Sequence, residues 1–408
     1  MDGKASADDF SYMLMAAQID LSENNAIKKV VPIGTINTEM NSDQNSADFN
    51  NIMSGVPEQH GGQWYVSDLG IDGGDPMPIN GTSEGEVLEG FGGDDVIYGN
   101  GGNDTIYGGG GNDKIYGGDN DDILMPGDGD DQVFGESGDD TLVIDGTGAQ
   151  EFDGGEGNDI IYLNTTEYTP PTENFSILFD LSEGISGGVI DGEFVSENSD
   201  TLTSIENVQY TGPISVEIIG DEQVNILQVH SESGTSNTVT GGGGNDILTS
   251  TDGSDYLYGG AGNDTLTTGG GDDQLFGGLD DDSFILNGVG TMLFDGGDGV
   301  DSLEALVNDT NVWMPPTDFL FLRADLTEGE MGAVLEGEIL GSEQFFVSDT
   351  LVSIENITYV TDLAAQIIGN SEDNELISGG GDDYIDGGAG NNTLDGGSGN
   401  DTYFSDGR

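Results

Sequence analysis

The chain contains no cysteine, so neither a disulfide framework nor a thiolate metal centre can hold it together. Positive charge is almost as scarce: 6 Lys and Arg stand against 79 Asp and Glu, a formal net charge of −73. So anionic a polymer repels itself when compact and repels phosphate, which excludes nucleic acid as a partner and disfavours an anionic membrane surface. Only two histidines occur, His60 and His230, in no zinc-ligand spacing, so no metallopeptidase centre is encoded. No apolar run has the length of a membrane span. The opening MDGKASADDFSYMLMAAQIDL lacks the basic start and unbroken apolar stretch of a Sec signal peptide. Proline is sparse, ten residues with no period of three, which rules out a collagen-like chain. What remains is a chain that must either stay disordered or be neutralised by cations.

Glycine, by contrast, supplies 71 of 408 residues, against a usual share of roughly 7%, and it is not scattered. From residue 90 the chain reads GFGGDDVIY, GNGGNDTIY, GGGGNDKIY, GGDNDDILM, PGDGDDQVF and GESGDDTLV without slippage. A ten-residue variant, IDGTGAQEFD, then precedes GGEGNDIIY at 154–162. A second array starts at 241 with GGGGNDILT, STDGSDYLY, GGAGNDTLT, TGGGDDQLF and GGLDDDSFI. It too passes through a ten-residue variant, LNGVGTMLFD, to a closing GGDGVDSLE. A third array, SGGGDDYID, GGAGNNTLD and GGSGNDTYF, begins at 378.

Each position of this nonapeptide has a physical reading. The glycine-rich first half permits positive φ and a tight turn with little side-chain bulk, which directs carbonyl oxygens inward. The sixth position is acidic in fifteen copies: Asp95, Asp104, Asp113, Asp122, Asp131, Asp140, Asp159, Asp246, Asp255, Asp264, Asp273, Asp282, Asp301, Asp383 and Asp401. Calcium takes six to eight oxygens, carboxylate and carbonyl together, and one turn with the turn stacked on it supplies that mixture. The eighth position is apolar, as at Ile97, Ile106, Ile115, Leu124, Val133 and Leu142, or Leu248, Leu257, Leu266, Leu275 and Phe284. In a short strand that residue points inward between two outward neighbours. Two nonapeptides then make one coil of 18 residues, with two sheets facing each other across a thin apolar seam. A phosphate-cradling loop is excluded by the charge and the missing lysine. EF-hands are excluded because no loop has the twelve-residue spacing ending in glutamate.

The pattern G-G-x-G-x-D-x-U-x, with U a large apolar residue, resembles the calcium-binding repeats of the RTX, or hemolysin-type, family of Gram-negative bacteria. The resemblance implies an all-β protein of parallel β-roll arrays with β-rich connecting lobes, calcium as cofactor, and secretion by a type I route. It also implies that the fifteen aspartates above are metal ligands, with Gly90, Gly92, Gly108, Gly110, Gly241, Gly243, Gly259 and Gly379 shaping the turns. Asn392 replaces the aspartate in one copy and the ten-residue variants lack it. At one ion per stacked pair of loops, about 10–12 calcium ions are expected.

A longer period overlies the short one. FDLSEGISGG near 179 matches ADLTEGEMGA near 324, DTLTSIENVQY matches DTLVSIENITY, and IIGDEQVNIL matches IIGNSEDNEL, an offset of about 145–149 residues. We expect an N-terminal segment at 1–78, arrays at 79–162, 218–304 and 367–408, and connecting β lobes at 163–217 and 305–366. Those lobes should continue the stacked sheet or fold over its side. They read as spacers, with a ligand-binding lobe using Trp313 and Tyr168 as the alternative. Phe10, Met13, Ala17 and Leu21 fall at helical spacing, and their segment is expected to cap the first coil, with partial disorder as the alternative.

No catalytic constellation is present. Gly81-Thr82-Ser83-Glu84-Gly85 fits the serine-hydrolase elbow by letter, but it lies in phase with the nonapeptides as a degenerate first copy. The expected function is therefore that of a non-enzymatic secreted protein that folds on calcium outside the cell, as a structural or adhesive component of a cell surface, matrix or assembly. The alternative is the calcium-folding C-terminal portion of a secreted toxin or hydrolase whose active domain lies elsewhere. Partners beyond calcium would be further copies joined end to end, through an uncovered last coil, or cell-surface components.

Overall fold

The computed structural model describes residues 58–60, 63–67, 78–166, 174–196, 199–231, 234–288, 290–306, 319–335 and 345–404. The helical spacing read at Phe10 to Leu21 lies outside them, as do Tyr168 and Trp313. Among the described residues there is no helix, and every regular element is a strand.

The strands stack into a parallel β-solenoid. Alternate strands go to opposite walls. Sheet 1 is a ladder of sixteen strands, which includes Glu86–Glu89, Thr105–Gly110, Ile123–Asp128 and Thr141–Ile144. Sheet 2 receives the intervening ones, such as Val96–Gly101, Lys114–Asp119 and Gln132–Ser137. Register follows the coil of two nonapeptides: Ile97 pairs with Ile115 and Ile115 with Val133 in sheet 2, while Ile106 pairs with Leu124 and Leu124 with Leu142 in sheet 1. The ten-residue variant leaves this register intact, since Val133 still meets Phe152 across it. The added residue is accommodated in the turn.

Alternation within each strand builds the seam. Thr105–Gly110 puts Ile106 inside and Tyr107 outside, and the same eighth position is fully buried at Ile115, Leu124, Val133, Leu248, Leu257, Leu266 and Leu275. On the outer face of sheet 2 the ninth-position rings stack at the rise of the coil, Tyr98 on Tyr116 at 4.9 Å and Tyr116 on Phe134 at 5.1 Å between centroids. The strand spacing of a sheet sets that distance.

The connecting segments join the same stack and also interrupt it. Asp200–Thr203 lies parallel to Glu151–Glu156 in sheet 2, and Asn207–Gly212 parallel to Ile160–Asn164 in sheet 1. Between Asp200–Thr203 and the later Val216–Ile219, however, sheet 2 takes in an antiparallel pair, Phe175–Asp180 and Ile185–Ile190. Phe319–Asp325 and Glu330–Leu335 form the same insertion in the second unit. Sheet 1 has no counterpart: Asn207–Gly212 pairs directly with Ile226–Ser231. Opposite the inserted pairs the seam is filled by Tyr210 and Tyr359, the largest fully buried side chains. Near the N-terminal end, an antiparallel hairpin of Glu58–His60 and Gln63–Ser67 lies along Glu86–Glu89.

If the seam carries the packing energy, Ile115→Ala should lower the urea stability of the calcium-loaded chain by about 2–4 kcal/mol. Tyr116→Ser, on the outer face of the same strand, should cost clearly less. Equal losses for the two would contradict a core confined to the eighth position.

Candidate metal centre

The turns between the walls form two edges. Turns from sheet 2 to sheet 1, such as Gly99 to Asp104, make one edge, termed left; turns from sheet 1 to sheet 2, such as Gly108 to Asp113, make the right edge. Along both, the sixth-position carboxylates are withdrawn from water: Asp104, Asp122, Asp131, Asp246 and Asp264 are each 1% exposed and Asp140, Asp159 and Asp301 fully buried.

One oxygen of each carboxylate is committed to the backbone of the preceding coil. The N–H of Asp104 donates to Oδ1 of Asp122 at 2.7 Å, that of Asp122 to Asp140 at 2.8 Å, and that of Asp140 to Asp159 at 2.8 Å. On the right edge Asp113 donates in the same way to Asp131, at 2.7 Å. In the second array Asp246 donates to Asp264, and Asp264 to Asp282. These bonds fix the carboxylate plane and couple each coil to the next.

The other oxygen has no hydrogen-bond partner at Asp104, Asp113, Asp122, Asp131, Asp140, Asp159, Asp246, Asp264, Asp282 and Asp301. A buried, unpaired carboxylate oxygen is costly and requires a compensating charge. Except at Asp131, whose turn begins with Pro126, the space in front of it is kept open by the first-position glycine. A Cβ added to Gly117 would stand 2.4 Å from Asp122 Oδ2 and 2.9 Å from the carbonyl oxygen of Gly135, one coil on. At Gly259 the same two kinds of oxygen, Asp264 Oδ2 and the Gly277 carbonyl, would lie at 2.4 and 2.7 Å. Each hollow is thus walled by a carboxylate from one coil and a carbonyl from the next. That oxygen-only, mixed donor set suits calcium, and neither nitrogen nor sulfur takes part. Among the described residues no three acidic or histidine side chains converge as a side-chain cluster, because the backbone provides much of the donor set.

Burial raises these carboxyl pKa values, helped by neighbouring carboxylates and opposed by the backbone N–H bonds. Asp122 is pushed up to about 8, with Asp104 and Asp140 adding to the burial. Asp159 and Asp282 reach about 7, and Asp104, Asp113, Asp131, Asp140, Asp246, Asp264 and Asp301 about 6.

The other residues singled out from the sequence fall into distinct settings. Asp95 occupies the same kind of turn, its N–H donating to Asp113 Oδ1 at 2.8 Å. Gly90, Gly108, Gly241 and Gly259 are first-position glycines with the carbonyl of the next coil against them, whereas Gly92, Gly110 and Gly243 occupy the roomier third position. Gly379 sits second in its turn, against the Thr361 carbonyl. At Asp255, Asp273 and Asp383 the first-position residue is Ser250, Thr268 or Ser378, and its hydroxyl donates to Oδ2. Asp401 accepts the Asp383 N–H at 3.2 Å. Asn392, where aspartate is missing, turns its Nδ2 to the carbonyl of Gly387 at 2.6 Å. His230 is exposed at the end of a strand, and Ser83 is exposed in the turn between Pro78–Asn80 and Glu86–Glu89, where no helix follows.

Several members of the ladder escaped the nonapeptide pattern. Asp200 Oδ1 accepts the N–H of Gln150 at 3.0 Å, and Asp349 Oδ1 that of Met292 at 2.9 Å. Glu206 and Glu355 accept from Asp159 and Asp301, both at 2.9 Å. The duplicated DTLTSIEN and DTLVSIEN segments carried that signal.

No match to a curated protein was found. A protein-family description, the RTX calcium-binding nonapeptide repeat, matches residues 89–124, 127–142, 144–165, 233–256, 249–284 and 368–403. The matched segments hold nine of the ten carboxylates with an unpaired Oδ2, all but Asp301, and the coil they form is the one the register displays. The chain therefore carries RTX calcium-binding nonapeptide repeats in several copies along its length.

Proposed function

We propose that the ten carboxylates with an unpartnered Oδ2, together with Asp95, hold calcium between successive coils, and that this binding folds the chain outside the cell. The observation that carries the reading is the repeated pairing of an orphaned, buried carboxylate oxygen with a carbonyl of the next coil. Calcium, when bound, supplies the positive charge and the oxygen-rich coordination that such a hollow lacks. The chain's own residues do the rest. Glycine keeps the hollow open, Oδ1 ties the carboxylate to the neighbouring backbone, and the eighth-position residue closes the seam behind it. Each ion would touch two coils, so binding free energy becomes folding free energy and spreads by nearest-neighbour contact. Counted by hollows, about 10–12 ions fit the stack.

RTX repeats are typical of proteins secreted by Gram-negative bacteria, and the repeat solenoid is a structural calcium-binding domain rather than a catalytic one. No helix among the described residues is long and apolar enough to cross a membrane. We place the protein outside the cell by type I secretion, as a structural or adhesive component of a surface, matrix or assembly. Support comes from a solenoid that occupies most of the described chain, its connecting segments included. The second reading, a calcium-folding portion of a secreted toxin or hydrolase, is favoured by the same secretion habit of the repeats.

Circular dichroism should show unordered chain becoming β-structure at millimolar calcium, with reversal by EDTA and little response to magnesium, which prefers a tight octahedral shell. A β-rich spectrum in EDTA at neutral pH would refute the switch. Within that experiment, Asp113→Ala with Asp131→Ala should raise the calcium midpoint of the first array more than that of the second.

The pKa values carry a sign of their own. The buried carboxyls have folded-state values of about 6 to 8 against an ordinary 3.8, so the metal-free stack binds protons more tightly than the unfolded chain does. Its stability is therefore greatest below the ordinary carboxylate range and is lost as pH rises through about 6 to 8. In EDTA, lowering the pH from about 8 to about 5 should increase β-structure. Over the same window the calcium midpoint should rise, because protons compete for Oδ2. A pH-independent spectrum in EDTA would count against buried carboxylates as the obstacle to folding.

A further inference from the structure

The aspartates of the two edges are not equivalent. On the left edge of the second array, Gly241, Gly259, Gly277 and Gly296 each face an Oδ2 that nothing satisfies. On the right edge of the same coils the first-position residue is Ser250 or Thr268, and in the third array Ser378. The hydroxyl of each donates to the Oδ2 of its own turn, Ser250 to Asp255, Thr268 to Asp273, and Ser378 to Asp383 at 2.6 Å. All three hydroxyl-bearing residues are at most 2% exposed. None of the three aspartates has an orphaned oxygen.

Bulk alone does not explain this. Pro126 also stands at a first position and also carries a Cβ, yet the Oδ2 of Asp131 in its turn remains without a partner. The donor is what matters. The chain uses an amide to similar effect in the coils beside the insertions. Asn225 and Asn374 replace the sixth-position aspartate, and their Nδ2 groups donate to the carbonyls of Glu206 and Glu355, both at 2.7 Å. There a neutral side chain satisfies a carbonyl that would otherwise face inward unbonded.

We propose that Ser250, Thr268 and Ser378 are built-in substitutes for calcium, so that the turns of Asp255, Asp273 and Asp383 close without an ion and the second array loads unequally on its two edges. This rests on the reading that the orphaned carboxylates hold calcium. An O–H donor satisfies Oδ2 at any calcium concentration, and its Cβ occupies the space that glycine leaves open. The right edge of the second array would then be closed before its left edge is loaded. The first array, with Gly90 and Gly108 on its right edge, would depend on calcium at both edges.

The test counts calcium ions retained by the full chain after desalting, by native mass spectrometry, with circular dichroism as a check of folding. Asp246→Asn with Asp264→Asn should lower the count by about two relative to the parent. Asp255→Asn with Asp273→Asn should leave it unchanged, and Ser250→Gly with Thr268→Gly should raise it by about two. A parent that retains calcium but loses ions on Asp255→Asn with Asp273→Asn would overturn the proposal, as would folded glycine variants with an unaltered count. Should the parent itself retain no calcium, the failure would belong to the underlying calcium reading instead.

Discussion

A carboxylate buried with one oxygen bonded and the other facing a carbonyl is the constraint on which this solenoid depends. Two electronegative oxygens confined a few ångströms apart repel each other, and the arrangement recurs along both edges. The repulsion scales with the same repetition that builds the fold. Each added coil brings one more apolar layer to the seam and up to two more charges to the edges. The fold can grow in length only if every increment is neutralised locally, since screening by salt scarcely reaches a buried pair.

The seam by itself is thin. A stack of aliphatic side chains such as Ile97, Ile115 and Val133 buries one large apolar side chain per strand, and the glycine-rich turns between strands add little apolar surface to it. The glycines, which carry no apolar surface, matter as much as the leucines: they are the positions where a side chain would fill the hollow.

The period of nine, the inward eighth position and the acidic sixth position were all legible from residues, because each rests on local geometry that repeats identically. The coil of 18 followed from them, and the parallel register agrees with it. Less visible was what depends on partners far apart in sequence. Glu206 serves as acceptor for Asp159 across 47 positions, and Asp349 for Met292 across 57, so no short window could have paired them. The distinction between Gly259 with Asp264 and Thr268 with Asp273 was printed in the sequence, but its meaning emerged only where the hydroxyl met the carboxylate. The antiparallel pair inside sheet 2 was hidden for another reason. Its strands alternate like any others, and nothing in Phe175–Asp180 says which neighbours it will separate.

That pair has a mechanical corollary. Two extra strands on one wall lengthen it by roughly 10 Å relative to the facing wall, and this happens twice, around Tyr210 and again around Tyr359. The two walls therefore fall out of step at those levels, where Tyr210 and Tyr359 fill the seam. The insertions thus set two levels of unequal walls into a stack of otherwise repeating rungs, a feature that the nonapeptides alone could not specify.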